Sequence, residues 1–190
     1  MRPKLSIALV HHPVVNKNGD TVTSAVTSLD LHDMARLART YGVADFFVVT
    51  PLEDQQELVT RILDHWTAGD GGRYNPKRRE ALSLVRLKDT MAAVAAEITG
   101  RGDGPPRMVV TSARPSRSAV GFGPMREMLG DGRPTVMVFG TAWGLAPDFI
   151  AAADAVLAPI RGRGDYNHLA VRSAAAIVLD RLLGRCEPRQ

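Results

Sequence analysis

An α/β fold, with a mostly parallel sheet flanked by helices, is what this sequence predicts, as one domain over residues 1–190. Three observations lead there. The length of 190 residues is enough for one compact domain with its own core. Short apolar runs alternate from end to end with stretches of helical periodicity. In the last third, an apolar strand running into a loop of small, polar or glycine residues recurs three times, the arrangement that makes ligand sites beyond strand ends in parallel sheets.

Element by element, Leu5–Val10 (LSIALV), bounded by His11-His12-Pro13, reads as a buried first strand. The run from Asn16 to Asp20 is turn material and a further candidate for substrate contact. From Ser28 to Tyr41, Leu31, Ala35 and Ala38 share one helical face, and Gly42 is a natural stop. Asp45–Thr50 (DFFVVT) is a second strand, and Thr50-Pro51-Leu52-Glu53 fits a capping box with proline at the first helical position. Leu58, Ile62 and Trp66, with Val59 and Leu63 beside them, carry that helix to the glycines at 69–72. The basic segment Arg73–Arg79 follows, then a strand Leu82–Leu87, a helix Thr90–Ile98 and a surface loop over 100–106. Met108–Thr111, Thr135–Phe139 and Ala155–Ala158 are the last three strands, and an alanine-rich helix opening after Asn167 ends the fold.

Composition narrows the function classes. Hydrophobic residues at 45% and charged residues at 23% are those of a globular chain, and the longest apolar runs are too short to span a bilayer. The first residues lack the long apolar stretch of a secretory signal. A single cysteine, Cys186, rules out an intramolecular disulfide and a metal site of several cysteines, so a reducing cytoplasm is the expected setting. The net charge of +4 permits a polyanionic partner without demanding one. Adjacent histidines such as His11 and His12 point to opposite sides of a strand, which argues against a shared metal.

The chemistry lies in the three loops. Gly140, Gly144, Gly162 and Gly164 let a ligand approach bare main chain, whose N–H and C=O groups can read the edge of a heterocycle. Leu145, Ile160 and Leu169 supply apolar walls. Tight turns alone would explain any one of these glycines; three strand-end loops together point to a ligand. The last loop is neither a P-loop, since no Lys-Ser/Thr closes it, nor a dinucleotide fingerprint, since Gly162-Arg163-Gly164 lacks the third glycine. Asp165 would repel a phosphate, so a neutral or cationic ligand fits better, and S-adenosylmethionine joins an adenosyl group to a positive sulfur.

In this light TSAR (Thr111–Arg114), FGTAWGL (Phe139–Leu145) and LAPIRGRGDYNHLAVRSAAAIVLDRL (Leu157–Leu182) resemble, in order, the three cofactor motifs of the SPOUT superfamily of methyltransferases. The amino-terminal half, with TSLDLHDMARLARTYGV, VVTPLEDQ and RYNPKRREALSLV, is similar to a bacterial subgroup of RNA methyltransferases. The resemblance implies a deep trefoil knot in the carboxyl-terminal part, a homodimer sharing its site, a tRNA or rRNA substrate, and S-adenosylmethionine as cofactor. It assigns cofactor binding to Thr111, Ser112 and Ala113; to Phe139, Gly140, Thr141, Trp143, Gly144 and Leu145; and to Pro159, Ile160, Gly162, Gly164, Asn167, His168 and Leu169.

Two side chains are candidates for catalysis. Asp165 could remove the acceptor proton as general base, or instead cap the last helix or pair with Arg161 or Arg163. Arg114 could neutralise an RNA phosphate or polarise the acceptor, or form a surface ion pair. The segment Arg73–Arg79, with Tyr74 among its cations, reads as phosphate contact with base stacking or as a solvated loop. Small residues on the last helix, Ala170, Ala174, Ala175 and Ala176, permit close packing under the knot or against a second subunit. The leading reading is an RNA methyltransferase that needs no metal. An RNA-binding or regulatory dimer keeping a cofactor pocket with little activity is the alternative, and a flavodoxin-like protein without a knot is a third.

Overall fold

The computed structural model describes residues 4–185, so Cys186 lies outside the described residues. The order is β1 (Leu5–Val10), β2 (Val14–Val15), β3 (Thr21–Val22), α1 (Ser28–Tyr41), β4 (Phe46–Val49), α2 (Glu53–Thr67), α3 (Asp70–Tyr74), α4 (Pro76–Leu82), β5 (Val85–Lys88) and α5 (Met91–Ile98). Then come β6 (Arg107–Thr111), α6 (Phe122–Leu129), β7 (Thr135–Gly140), α7 (Pro147–Ala151), β8 (Ala155–Leu157) and α8 (Val171–Leu183). Six strands form one sheet in the order β5-β4-β1-β7-β6-β8, and every pairing in it is parallel. β1 and β7 run in register from Leu5 opposite Thr135 to Val10 opposite Gly140.

Both faces of this sheet are covered, which is why its central strands are continuous apolar runs with no polar alternation. All six residues of β1 are buried. Alternate side chains divide between two cores. Leu5, Ile7 and Leu9 point into one with Leu31, Met34, Ala35 and Ala38 of α1 and Ala175, Val178 and Leu179 of α8. Ala8 and Val10 point into the other, with Val94 and Ile98 of α5 and the flanking Phe149 and Ile150 of α7. Each fully buried large apolar side chain contributes about 1.5–3 kcal/mol. No helix among the described residues is long and apolar enough to cross a membrane.

Beyond β8 the sheet has one further contact. Val120 donates its N–H to Val156 O at 2.8 Å and accepts from Ala158 N–H at 2.8 Å. β8 therefore has β6 on one side and Val120 on the other.

The structure departs from the sequence reading in places, each with a local cause. The capping box at Thr50 does not form: α2 begins at Glu53, and its preceding residue Leu52 makes no side-chain cap. Thr50 is fully buried at the end of β4, its N–H donating to Lys88 O at 3.0 Å, so it completes the sheet. The basic segment is no loop but two short helices, α3 and α4, separated at Asn75, whose side chain accepts from Arg78 N–H at 3.0 Å while Pro76 takes the first helical position. Leu82 belongs to α4, and β5 starts three residues later. Within 100–106 the expected loop begins as a single π-helical turn, Thr99–Asp103, with Gly102 at φ 88°. α6 and α7 went unanticipated; α6 buries only Met125 and Leu129, one turn apart, behind Gly123-Pro124. The turn at Asn16–Asp20 joins β2 to β3 as a small antiparallel hairpin, in which Asn16 Oδ1 accepts from the N–H groups of Asn18 at 2.8 Å and Asp20 at 3.0 Å. The last helix does not open after Asn167: α8 starts at Val171 behind Ala170.

Candidate functional site

The carboxyl ends of β6, β7 and β8 border one cleft of about 1440 Å3. β6 enters it at Thr111, whose hydroxyl donates to Val138 O at 3.0 Å and ties the first loop to β7. Ser112 Oγ then accepts from Arg114 N–H at 3.0 Å, which curls the chain and presents Ala113 O outward.

The second loop leaves β7 at Gly140. A methyl group there would lie 2.8 Å from Leu145 Cγ and 2.9 Å from Leu145 N, so only glycine lets the turn fold back this tightly. The turn closes with Gly144 N–H on Thr141 O at 2.9 Å and takes left-handed backbone at Ala142 (φ 50°) and Gly144 (φ 108°). The β2–β3 hairpin clamps it from outside. Val15 N–H donates to Gly144 O at 2.9 Å, Trp143 N–H to Val15 O at 3.1 Å, and Ala146 N–H to Pro13 O at 3.2 Å. From below, Thr141 Oγ1 donates to Val10 O at 3.0 Å and shares a hydrogen bond with Ser24 Oγ at 2.5 Å. Ser24 Oγ meets His11 Nδ1 at 3.0 Å. His11 is buried, and that burial lowers its pKa to about 4, outweighing the nearby Asp30 carboxylate that pulls it upward.

The third loop, residues 159–169, is held differently. Among the described residues, none of the N–H groups of Ile160–Leu169 donates a hydrogen bond. Its tie to the first loop is a side chain, Asn167 Nδ2 donating to Ala113 O at 3.1 Å. This explains why Asn167 caps no helix. At the start of α8, Arg172 reaches Asp30 Oδ1 at 3.1 Å and Asp33 Oδ2 at 3.6 Å, locking α8 to the first turn of α1.

Most residues singled out from the sequence meet here. Thr111, Ser112, Ala113 and Arg114, then Phe139, Gly140, Thr141, Trp143, Gly144 and Leu145, then Pro159, Ile160, Asn167, His168 and Leu169 all line the cleft. Gly162, Gly164 and Asp165 do not; they sit exposed on the outer part of the third loop. Among the described residues, Asp165 pairs with neither Arg161 nor Arg163, and it lies too far before α8 to cap it. Arg114 is exposed and forms no ion pair among the described residues. None of Arg73, Lys77, Arg78 and Arg79 lines this cleft; Arg73 pairs with Asp70 at 3.3 Å, and the Arg78 guanidinium stacks 4.5 Å from the Trp66 ring. The cleft also takes in Lys17, from the turn offered as a further substrate contact, together with Asp30 and with Ser24 and Thr27, which the sequence reading did not place there. Thr27 and Asp30 carried a signal: Thr27 is the N-cap of α1, with Asp30 N–H on Thr27 Oγ1 at 3.3 Å and Thr27 Oγ1 donating to Asp30 Oδ2 at 2.7 Å. Ser24 carried none.

The donor set suits an adenosyl group. Main-chain N–H groups without internal partners line one wall, small residues allow close approach, and buried apolar side chains, Phe139 and Leu145, form the floor.

The comparisons agree with this geometry. A family model described as a SAM-dependent RNA methyltransferase matches residues 4–184. Over 182 residues, 96% of this chain, the sequence is 46% identical to a protein of Nitratidesulfovibrio vulgaris named tRNA (guanine-N(1)-)-methyltransferase, but it spans only 42% of that longer protein. An uncharacterized protein of Aquifex aeolicus is 39% identical over 180 residues, covering 94% of this chain and 88% of its own length. The SpoU methyltransferase AviRb from Streptomyces viridochromogenes, solved with the cofactor AdoMet, shares the fold at a TM-score of 0.55 and 15% identity, over 96% of this chain and 58% of that one. A family match across nearly every residue, on a chain whose strand-end loops build this cleft, assigns it to the S-adenosylmethionine-dependent RNA methyltransferases.

Proposed function

We propose that this chain, as one domain over residues 1–190, transfers the methyl group of S-adenosylmethionine to RNA, with tRNA the first class to test. The observation that carries the reading is the meeting of the three strand-end loops at one cleft, joined by the bond from Asn167 to Ala113. S-adenosylmethionine, when bound, supplies a methyl carbon on a cationic sulfur that an acceptor lone pair can attack. The chain's own part is placement. Main-chain groups of Thr111–Ala113 and Phe139–Leu145, with Pro159, Ile160, Asn167, His168 and Leu169, hold the adenosyl group. Gly162 and Gly164 let the third loop fold over it. Asp165, carried on that loop, accepts the proton that a ring nitrogen or ribose hydroxyl loses as the new bond to carbon forms. Arg114, free of ion pairs among the described residues, neutralises an RNA phosphate beside the acceptor.

The same reading includes a trefoil knot, a homodimer and a cytoplasmic setting. The pairing around β8 supports the knot, because Val120 follows β6 in the chain and flanks β8 from the far side, so residues 112–119 pass around that strand. The exposed Leu29 on α1 supports a second copy on that helix's outer face. The tRNA named for longer relatives supports the cytoplasm.

Calorimetric titration with S-adenosylmethionine, followed by transfer of its tritiated methyl group to bulk bacterial tRNA, tests the reading. Cofactor binding with no transfer to any RNA would favour a regulatory RNA-binding dimer, and no cofactor binding would defeat both. Asp165→Asn is expected to slow transfer about 100-fold or more with cofactor affinity unchanged. An undiminished rate would remove Asp165 from the mechanism.

A further inference from the structure

Trp143 is the one large aromatic side chain of the cleft left mostly in water, 60% exposed where Phe139 is buried. Among the described residues its ring meets no other aromatic ring and no cation. The backbone nevertheless holds it out on purpose-built geometry. Ala142, immediately before it, is the only residue other than glycine with positive φ among the described residues, a conformation that side chains with a β-carbon resist. Trp143 N–H is anchored to Val15 O of the hairpin, and Gly144 after it is also left-handed. A strained turn, clamped from a second element, thus presents an unpartnered indole to solvent at the cleft.

The surroundings select the occupant. Lys17 and Arg114 line the same cleft, both exposed, so the cleft offers cations as well as an aromatic face. An aromatic platform beside cations is the recognition chemistry of an unstacked RNA base, whose π-face lies on the ring while its phosphates meet the charges. In the reading above the adenosyl group takes its apolar floor from Phe139 and Leu145, both buried where Trp143 is exposed.

We infer that the Trp143 indole is the stacking platform for an RNA base delivered to the cleft, with Lys17 and Arg114 on the adjoining phosphates. This rests on the RNA methyltransferase reading above and adds to it the residue that grips the nucleotide.

The test measures binding of bulk bacterial tRNA at fixed salt, with S-adenosylhomocysteine present, to the wild type, Trp143→Ala and Trp143→Phe. Trp143→Ala is expected to weaken tRNA binding about 5- to 140-fold, the loss of one stacked base, while Trp143→Phe retains most of the affinity. Because residue 143 meets the adenosyl group through its main chain in the reading above, and not through the indole, S-adenosylhomocysteine affinity stays within about twofold in both. Indole fluorescence gives an independent readout: tRNA quenches the wild type but not Trp143→Phe, in which Trp66 is the remaining tryptophan of the two in the chain. Unchanged tRNA affinity in Trp143→Ala overturns the inference while leaving the enzyme reading intact. So does a loss of S-adenosylhomocysteine affinity with tRNA binding retained, which would put the indole on the adenine. Failure of the wild type to bind S-adenosylhomocysteine would instead overturn the enzyme reading itself, and this inference with it.

Discussion

Two loops share the cleft but not their support. The loop after β7 is clamped by main-chain bonds to the hairpin at Pro13 and Val15 and underpinned by the His11–Ser24–Thr141 chain. The loop after β8 has its N–H groups unpartnered from Ile160 to Leu169 among the described residues and is tied to the first loop through Asn167. The contrast teaches how one pocket divides its work. The second loop is paid for by folding and stands ready; the third keeps its donors for whatever enters and orders them on binding. Stability measurements should therefore respond to the second loop, and ligand affinity to the third.

The largest expected effect lies beneath the second loop and depends on pH. The unfolded chain protonates His11 near pH 6.5, the folded chain only near about 4. The contribution of the neutral ring is fully present above pH 6.5 and is lost as pH falls from there to about 4, because the unfolded state binds the proton first. Across that window the loss approaches about 3 kcal/mol. Urea unfolding at pH 7, 5.5 and 4 checks it, and His11→Gln should flatten this part of the profile. If both proteins show the same slope, the ring is not what holds the second loop from below.

Next in size is Gly140→Ala. The added methyl meets Leu145 backbone nitrogen at 2.9 Å, which cannot swing aside as a side-chain tip would. A loss of about 1–3 kcal/mol is expected, seen as a lower urea midpoint together with weaker binding of S-adenosylmethionine. Asn167→Ala should do the reverse: stability within about 0.5 kcal/mol of wild type, but cofactor binding weakened by the worth of one hydrogen bond, about 0.5–1.5 kcal/mol. A drop in stability with unchanged affinity would break the comparison. Smallest of all, Gly162→Ala and Gly164→Ala have no atom within 4 Å of the new methyl and should leave stability within about 0.5 kcal/mol.

What the sequence disclosed follows the same physics. Buried parallel strands are read easily, since burial on both faces demands unbroken apolar runs such as Leu5–Val10 and Thr135–Phe139. The three strand-end loops were legible because closely approached main chain needs glycine and small residues there. Helices with little to bury were not: α6 hides a buried pair behind Gly123-Pro124, and α7 buries none of its residues fully. The capping box at Thr50 misled because a strand end competed for the same hydroxyl residue, while the N-cap that does form, at Thr27, was passed over. Ser24 reaches the cleft just after a hairpin only two residues long on each strand, too short for any periodicity to register.

The cover that Val120 lays over β8 has a consequence for self-association. Strands at the margin of a sheet invite another chain to add itself there unless something blunts them. At one margin the backbone groups of Val156 and Ala158 already bond Val120. At the other, β5 is four residues long and carries Arg86 and Lys88, engaged with Asp45 and Glu97. Both margins are thus blunted against strand addition, which disfavours growth of apolar strands such as Leu5–Val10 and Thr135–Gly140 into a ribbon.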